Sequence, residues 1–135
     1  MTKPHLALLD MLGVTVANRR WSWGGYARDG SVVLVVWKDQ VHPSGRPIAY
    51  TPEGGEASAG HDERLRHLQE IRSGRSGYFV VAVAVDPQAS PRSVRQVVRL
   101  VYPIARVVEE ADGLWTVERG EPVAPEEWKR SEDGA

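Results

Sequence analysis

Leucines at positions 6, 8, 9 and 12, with Pro4 before them and Gly13 after, predict a short first helix over His5–Leu12. Proline fits the first turn of a helix and glycine stops one, so both stand at the expected boundaries. Asn18–Tyr26 (NRRWSWGGY) is too glycine-rich and polar for a second helix. It reads as a strand at Trp21–Trp23 running into a glycine turn. Asp29-Gly30 signals a hairpin. Ser31–Lys38 (SVVLVVWK) follows, and its nearly continuous apolar run suits a strand covered on both faces. Asp39–Gly60, with Pro43, Pro47 and Pro52, is a loop-rich excursion with one short strand at Pro47–Tyr50 and a mobile stretch at Glu53–Gly60.

The clearest helical pattern is Asp62–Ser73: Asp62 caps it, Leu65, Leu68 and Ile71 form one stripe, and Gly74 ends it. Its polar face carries Arg64, Arg66, His67 and Arg72. Tyr78–Asp86 (YFVVAVAVD) is a buried strand, and Ser90-Pro91 starts a short helical turn. Val97–Val108 resumes β character, with Pro103 marking an edge or a bulge. Asp112-Gly113 turns into Leu114–Glu118, a last hairpin. Strands outnumber helices and do not alternate with them, so the expected class is α+β: a small curved sheet or partly open β-barrel flanked by two helices. Residues 1–119 are expected to form one recognition domain. Residues 120–135 read as an acidic, flexible tail, with Trp128 as the one residue able to dock back.

Composition narrows this. A chain of 135 residues suits one domain. It has no cysteine, which excludes disulfides and thiolate metal sites and gives no argument for secretion. The longest apolar runs, Val32–Trp37 and Tyr78–Val85, fall far short of the roughly 20 residues of a spanning helix, and no signal-peptide pattern opens the chain. A cytoplasmic protein without a membrane partner is expected. Net charge is −1, yet residues 1–106 carry 14 Lys/Arg against 9 Asp/Glu, and residues 107–135 carry 3 against 9. A basic body with an acidic tail suits contact with a polyanion. Arginine bias in the genome gives the same pattern.

Three constellations could carry chemistry. In Arg19-Arg20-Trp21-Ser22-Trp23-Gly24-Gly25-Tyr26, tryptophans two apart share a strand face, and Trp37 on the paired strand adds another wall. Aromatic faces stack on nucleobases at about 1–3 kcal/mol per base and also cage cations. A tryptophan-rich core edge would look the same. Glu63 and His67, one helical turn apart, could bind a metal or shuttle a proton, but no third ligand stands at a recognisable spacing. A solvated helix face with local ion pairs explains them equally, and a helix start beside arginines suits a phosphate. Arg92, Arg95 and Arg99 with Ser90 and Ser93 could track a phosphate backbone or serve only solubility. No phosphate-binding loop, dinucleotide fingerprint, nucleophile elbow or zinc-finger spacing is present.

The order of Trp-Ser-Trp-Gly, Val-Trp-Lys-Asp, Glu-Arg-Leu-Arg-His-Leu and Tyr-Phe-Val-Val-Ala-Val-Ala over Asn18–Val117 resembles small bacterial domains found alone or attached to HNH-type restriction nucleases. In layout it is similar to the PUA-like group, with its EVE, YTH, ASCH and SRA domains. That resemblance implies a pocket in which an altered base, flipped or single-stranded, is held between aromatic walls and read at its edge. It would make Trp21, Trp23 and Trp37 the walls and Ser22 and Asp39 the edge readers. Arg19, Arg20, Arg64, Arg66 and His67 would touch the backbone. The expected function is a non-catalytic module for nucleic acid, modified DNA ahead of RNA, needing no cofactor and working beside a partner nuclease. One alternative is a small metal-dependent hydrolase or nuclease using Asp39, Glu63 and His67. Another is a protein-interaction or small-molecule-binding module.

Overall fold

The structure is a computed structural model that describes residues 3–52, 59–89 and 92–133. Its elements in chain order are α1 (Pro4–Met11), β1 (Gly24–Tyr26), β2 (Val32–Trp37), β3 (Ile48–Tyr50), α2 (Ala59–Arg72), β4 (Gly77–Ala84), β5 (Val94–Val97), β6 (Tyr102–Glu109), β7 (Trp115–Arg119) and α3 (Pro125–Asp133). The chain is thus α+β. Among the described residues, seven strands form one mixed, curved, non-closed sheet, and three helices flank it where two were expected. The strand order is β1-β2-β4-β6-β7-β3, with β5 paired to β4.

Both Asp-Gly turns read from the sequence are present, whereas the glycine turn expected after Trp23 is instead the paired strand β1. Gly30 and Gly113 take φ of 87° and 86°, a left-handed conformation that glycine adopts without steric cost. They close the antiparallel β1–β2 and β6–β7 pairs. Among the described residues the one parallel pair is β2 with β4, and the excursion through β3 and α2 makes that crossover.

Alternation along β2 places Val33 and Val35 on one face and Val32, Leu34 and Val36 on the other. All five are buried, so the strand is covered on both faces. The first set packs with Leu8, Leu9, Leu12, Val80, Ala82 and Trp128, under α1 and α3. The second packs with Leu68, Ile71, Phe79 and Val117, under α2. Pro103 lies inside β6 opposite Tyr78, and the strand's register shifts between Ile104 and Arg106 as it exchanges β4 for β7.

The structure corrects several expectations. Trp21–Trp23 is not a strand: Trp21 and Ser22 donate their N–H groups to the Asn18 carbonyl in a tight turn, and pairing begins at Gly24. The second helix starts at Ala59, not Asp62, and so includes the Gly60 assigned to a mobile stretch; 53–58 lie outside the described residues, as do Ser90 and Pro91. The expected Val97–Val108 strand is two strands separated at 98–101. Within the expected flexible tail of 120–135, Pro125–Asp133 is helical, and Trp128 is 4% exposed with its ring edge-on to Tyr78 at 5.4 Å. Burial of that indole holds the segment down.

Gly25 permits the closest backbone approach beside β1. A Cβ there would meet the Thr15 carbonyl oxygen at 2.2 Å, and Thr15 is bridged to Tyr26. Gly25→Ala should destabilise the protein by about 2 kcal/mol, in the range of overpacked sites, read as a lower urea midpoint at unchanged m-value. An unchanged midpoint would contradict the contact.

Candidate ligand cavity

Beside the C-terminal end of β2 lies a cavity of about 640 Å³, within the range of roughly 300–1,000 Å³ typical of small-ligand sites. Trp21 comes from the Asn18 turn, Trp23 from the residue before β1 and Trp37 from the end of β2; all three are half-buried and line it. Ser22, between the first two, points the other way. Its hydroxyl donates to Glu63 Oε2 at 3.2 Å and accepts the Asn18 N–H at 3.0 Å. The alternation expected of a strand therefore survives in a turn, because Ser22 is tied to α2.

The tryptophans are braced from behind. His5 stacks on Trp23 with ring centres 4.6 Å apart, and Trp23 meets Trp37 at 5.2 Å, tilted by 50°. A further wall comes from Tyr50 at the end of β3, stacked on His61 of α2 at 4.5 Å. The His61 Nε2–H donates to the Thr51 carbonyl at 2.9 Å, fixing that ring.

Four cationic side chains, Lys3, Arg20, Arg64 and Arg92, also line the cavity, and no carboxylate does so among the described residues. Arg64 is set deepest. It donates to the carbonyls of Ala49 (2.8 Å), Trp23 (2.9 Å) and Val35 (2.6 Å). Burial lowers its pKa to about 10, so it stays charged at neutral pH. Arg92 forms a two-pronged pair with Asp39 at 2.7 and 2.8 Å while its guanidinium lies 5.1 Å from the Trp37 ring centre. Hydrogen bonding to Arg92 holds the Asp39 carboxyl below its usual range.

The remaining predicted site residues divide cleanly. Asp39, expected to read a base edge, does not line the cavity; it anchors Arg92. Ser22 is 2% exposed and out of a ligand's reach. His67, expected at a nucleic-acid backbone, is also 2% exposed, edge-on to Tyr26 at 5.1 Å. Arg19 is spent on Asp10 at 2.8 Å. Arg66 lines a separate shallow groove with Glu70, Ser73 and Arg75. Of the third constellation, Arg92 and Ser93 reach the cavity, whereas Arg99 pairs with Glu126 of α3. Lys3, Tyr50 and His61 were not anticipated as wall residues. They come from segments distant in sequence, so no local spacing signals their meeting. Among the described residues, no three His, Asp or Glu side chains are grouped to hold a metal, so Asp39, Glu63 and His67 do not assemble the alternative metal site.

Two imidazoles, on His5 and His67, are buried with Nδ1 lacking a partner, and burial lowers both pKa values from 6.5 to about 4. The unfolded chain therefore binds these two protons at higher pH than the folded chain. Stability should fall as pH drops from 6.5 towards 4, by up to about 1.4 kcal/mol per pH unit for each group. Glu63, raised by burial, works in the opposite sense above 4.5. Urea titrations at pH 7 and 5 should show the net loss, and His67→Gln should shrink it. Equal stability at both values would contradict it.

No family model, curated protein or solved structure matches the chain. Among the described residues no helix is long and apolar enough to cross a membrane. The chain is thus defined by its own fold and site: an α+β domain holding an aromatic, positively lined cavity.

Proposed function

We propose that the protein is a PUA-like, non-catalytic reader of nucleic acid that holds one nucleotide in this cavity, with modified DNA favoured over RNA. The observation that carries this reading is the meeting of Trp21, Trp23 and Trp37 with Lys3, Arg20, Arg64 and Arg92 around one space. Stacking on indoles tolerates any base, while cations supply a sequence-independent attraction to phosphate. Discrimination of an altered base then falls to the inner polar surface. A cytoplasmic location beside a partner nuclease that supplies the cutting fits a domain of this kind.

The reading is tested by fluorescence-polarisation titration of labelled duplexes, unmodified or carrying methylated, hydroxymethylated or phosphorothioate positions, and of single-stranded RNA, at two salt concentrations. Binding should weaken steeply as salt rises, and one modification should bind more tightly than its matched control. Weak, flat binding to every probe would overturn the proposal.

A further inference from the structure

We infer that the group this cavity holds on its stacked nucleotide is anionic, a phosphate or a ring carboxylate, and that the site rejects the cationic ligands aromatic cages commonly take. The inference rests on the nucleotide-binding reading above and specifies its chemistry. A cage for an ammonium group needs aromatic faces together with a neutral or negative wall. Here the aromatic faces are present, but every charged residue among the described lining residues is a cation.

Arg64 gives the sign its force. A guanidinium has five N–H donors, and three are taken by the carbonyls of Ala49, Trp23 and Val35. Its neighbour Glu63 acts on the charge at longer range, but no carboxylate lies within ion-pair distance of it among the described residues. Carbonyl dipoles orient such a charge without cancelling it, and a cation in a partly dry site attracts an anion more strongly than it would in water. Arg92 differs, because Asp39 already neutralises it. Arg20 stands at the rim beside Trp21. With about 640 Å³ available, there is room for a ring against the tryptophans and for an anionic group beside Arg64 or Arg20.

The test follows tryptophan fluorescence of the intact protein during titration with cytidine, 5-methylcytidine, 5-carboxycytidine, cytidine 5′-monophosphate and choline at neutral pH. At least one anionic probe should bind about tenfold or more tightly than cytidine, equivalent to roughly 1.4 kcal/mol. Choline should bind more weakly than cytidine. A gain confined to the monophosphate identifies a phosphate as the group held, and a gain confined to 5-carboxycytidine identifies a base substituent. Arg64 also ties the fold together, so the variant to use is Arg20→Gln, which should cut the monophosphate advantage several-fold. Arg106→Gln, at an exposed pair with Glu118, should leave it intact. Equal binding of charged and neutral probes, or choline binding as tightly as the monophosphate, would overturn the inference. If oligonucleotides still bound in a salt-dependent way, it would fall alone; if they did not, the nucleotide reading would fall with it.

Discussion

Arg64→Ala is expected to lower the free energy of unfolding by about 3 kcal/mol or more. One guanidinium joins α2 to the residue before β1, to β2 and to β3 through three carbonyls. Hydrogen bonds to a charged donor contribute roughly 1.5–3 kcal/mol each, and stranded acceptors cost more than a balanced deletion does. Two effects reduce the total. The Trp23 oxygen keeps the Val35 N–H at 2.8 Å, and removing Arg64 also removes the desolvation cost of a buried charge. Arg64→Lys should recover only part of the loss, because a compact ammonium lacks the planar fork. Urea denaturation of the three proteins makes the comparison. A loss below about 1 kcal/mol would mean that α2 is held by its apolar contacts and by hydrogen bonds such as Ser22–Glu63 and Tyr26–Glu70, without need of Arg64.

Trp128→Ala should cost about 3–5 kcal/mol, the range for truncating a buried aromatic. The indole closes the core face formed by Leu8, Leu9, Val33, Val35, Val80 and Ala82. The other buried side chain described on α3 is the smaller Pro125 at its start, which cannot fill the space an indole leaves. Val123 pairs with Val101 just before the helix, and truncation after Gly120 should therefore destabilise at least as much as the point variant. Thermal melts of both variants would show this. An unaltered midpoint for Trp128→Ala would mean that the C-terminal segment is dispensable to the fold.

How legible the molecule was depended on whether a feature was local. Asp29-Gly30 and Asp112-Gly113 declared their hairpins because the turns need left-handed glycines. The unbroken apolar run of β2 declared two covered faces. α3 was legible in principle, since Pro125 with Glu126 and Glu127 is a helix-start signal. Its charged composition hid a helix anchored by one tryptophan. The grouping of the three cavity tryptophans was expected from a strand at Trp21–Trp23, but in the structure that segment is a turn, and the i, i+2 spacing keeps Trp21 and Trp23 on one side because Ser22 is tied to α2. Arg64, Glu63 and His67 were picked out as candidates, but the burial of Glu63 and His67 and the grip of Arg64 on three carbonyls were not legible, because a helix wheel gives polar residues to solvent. Here α2 packs on the sheet through Leu68 and Ile71 while Arg64 reaches over the ends of β2 and β3. Those contacts span 15 to 41 residues, and no periodicity within one element encodes them.

If the tryptophan walls hold a nucleotide, their loss abolishes selection. The most direct measurement is the affinity ratio between the best-bound modified duplex and its unmodified match, for the native protein and for Trp37→Ala. Stacking of about 1–3 kcal/mol per base predicts a loss of roughly five- to 150-fold on the modified duplex, with the ratio collapsing towards one. The salt-dependent attraction to either duplex should persist. A ratio that survives in Trp37→Ala, or a native protein that never distinguishes the two duplexes, would contradict the account.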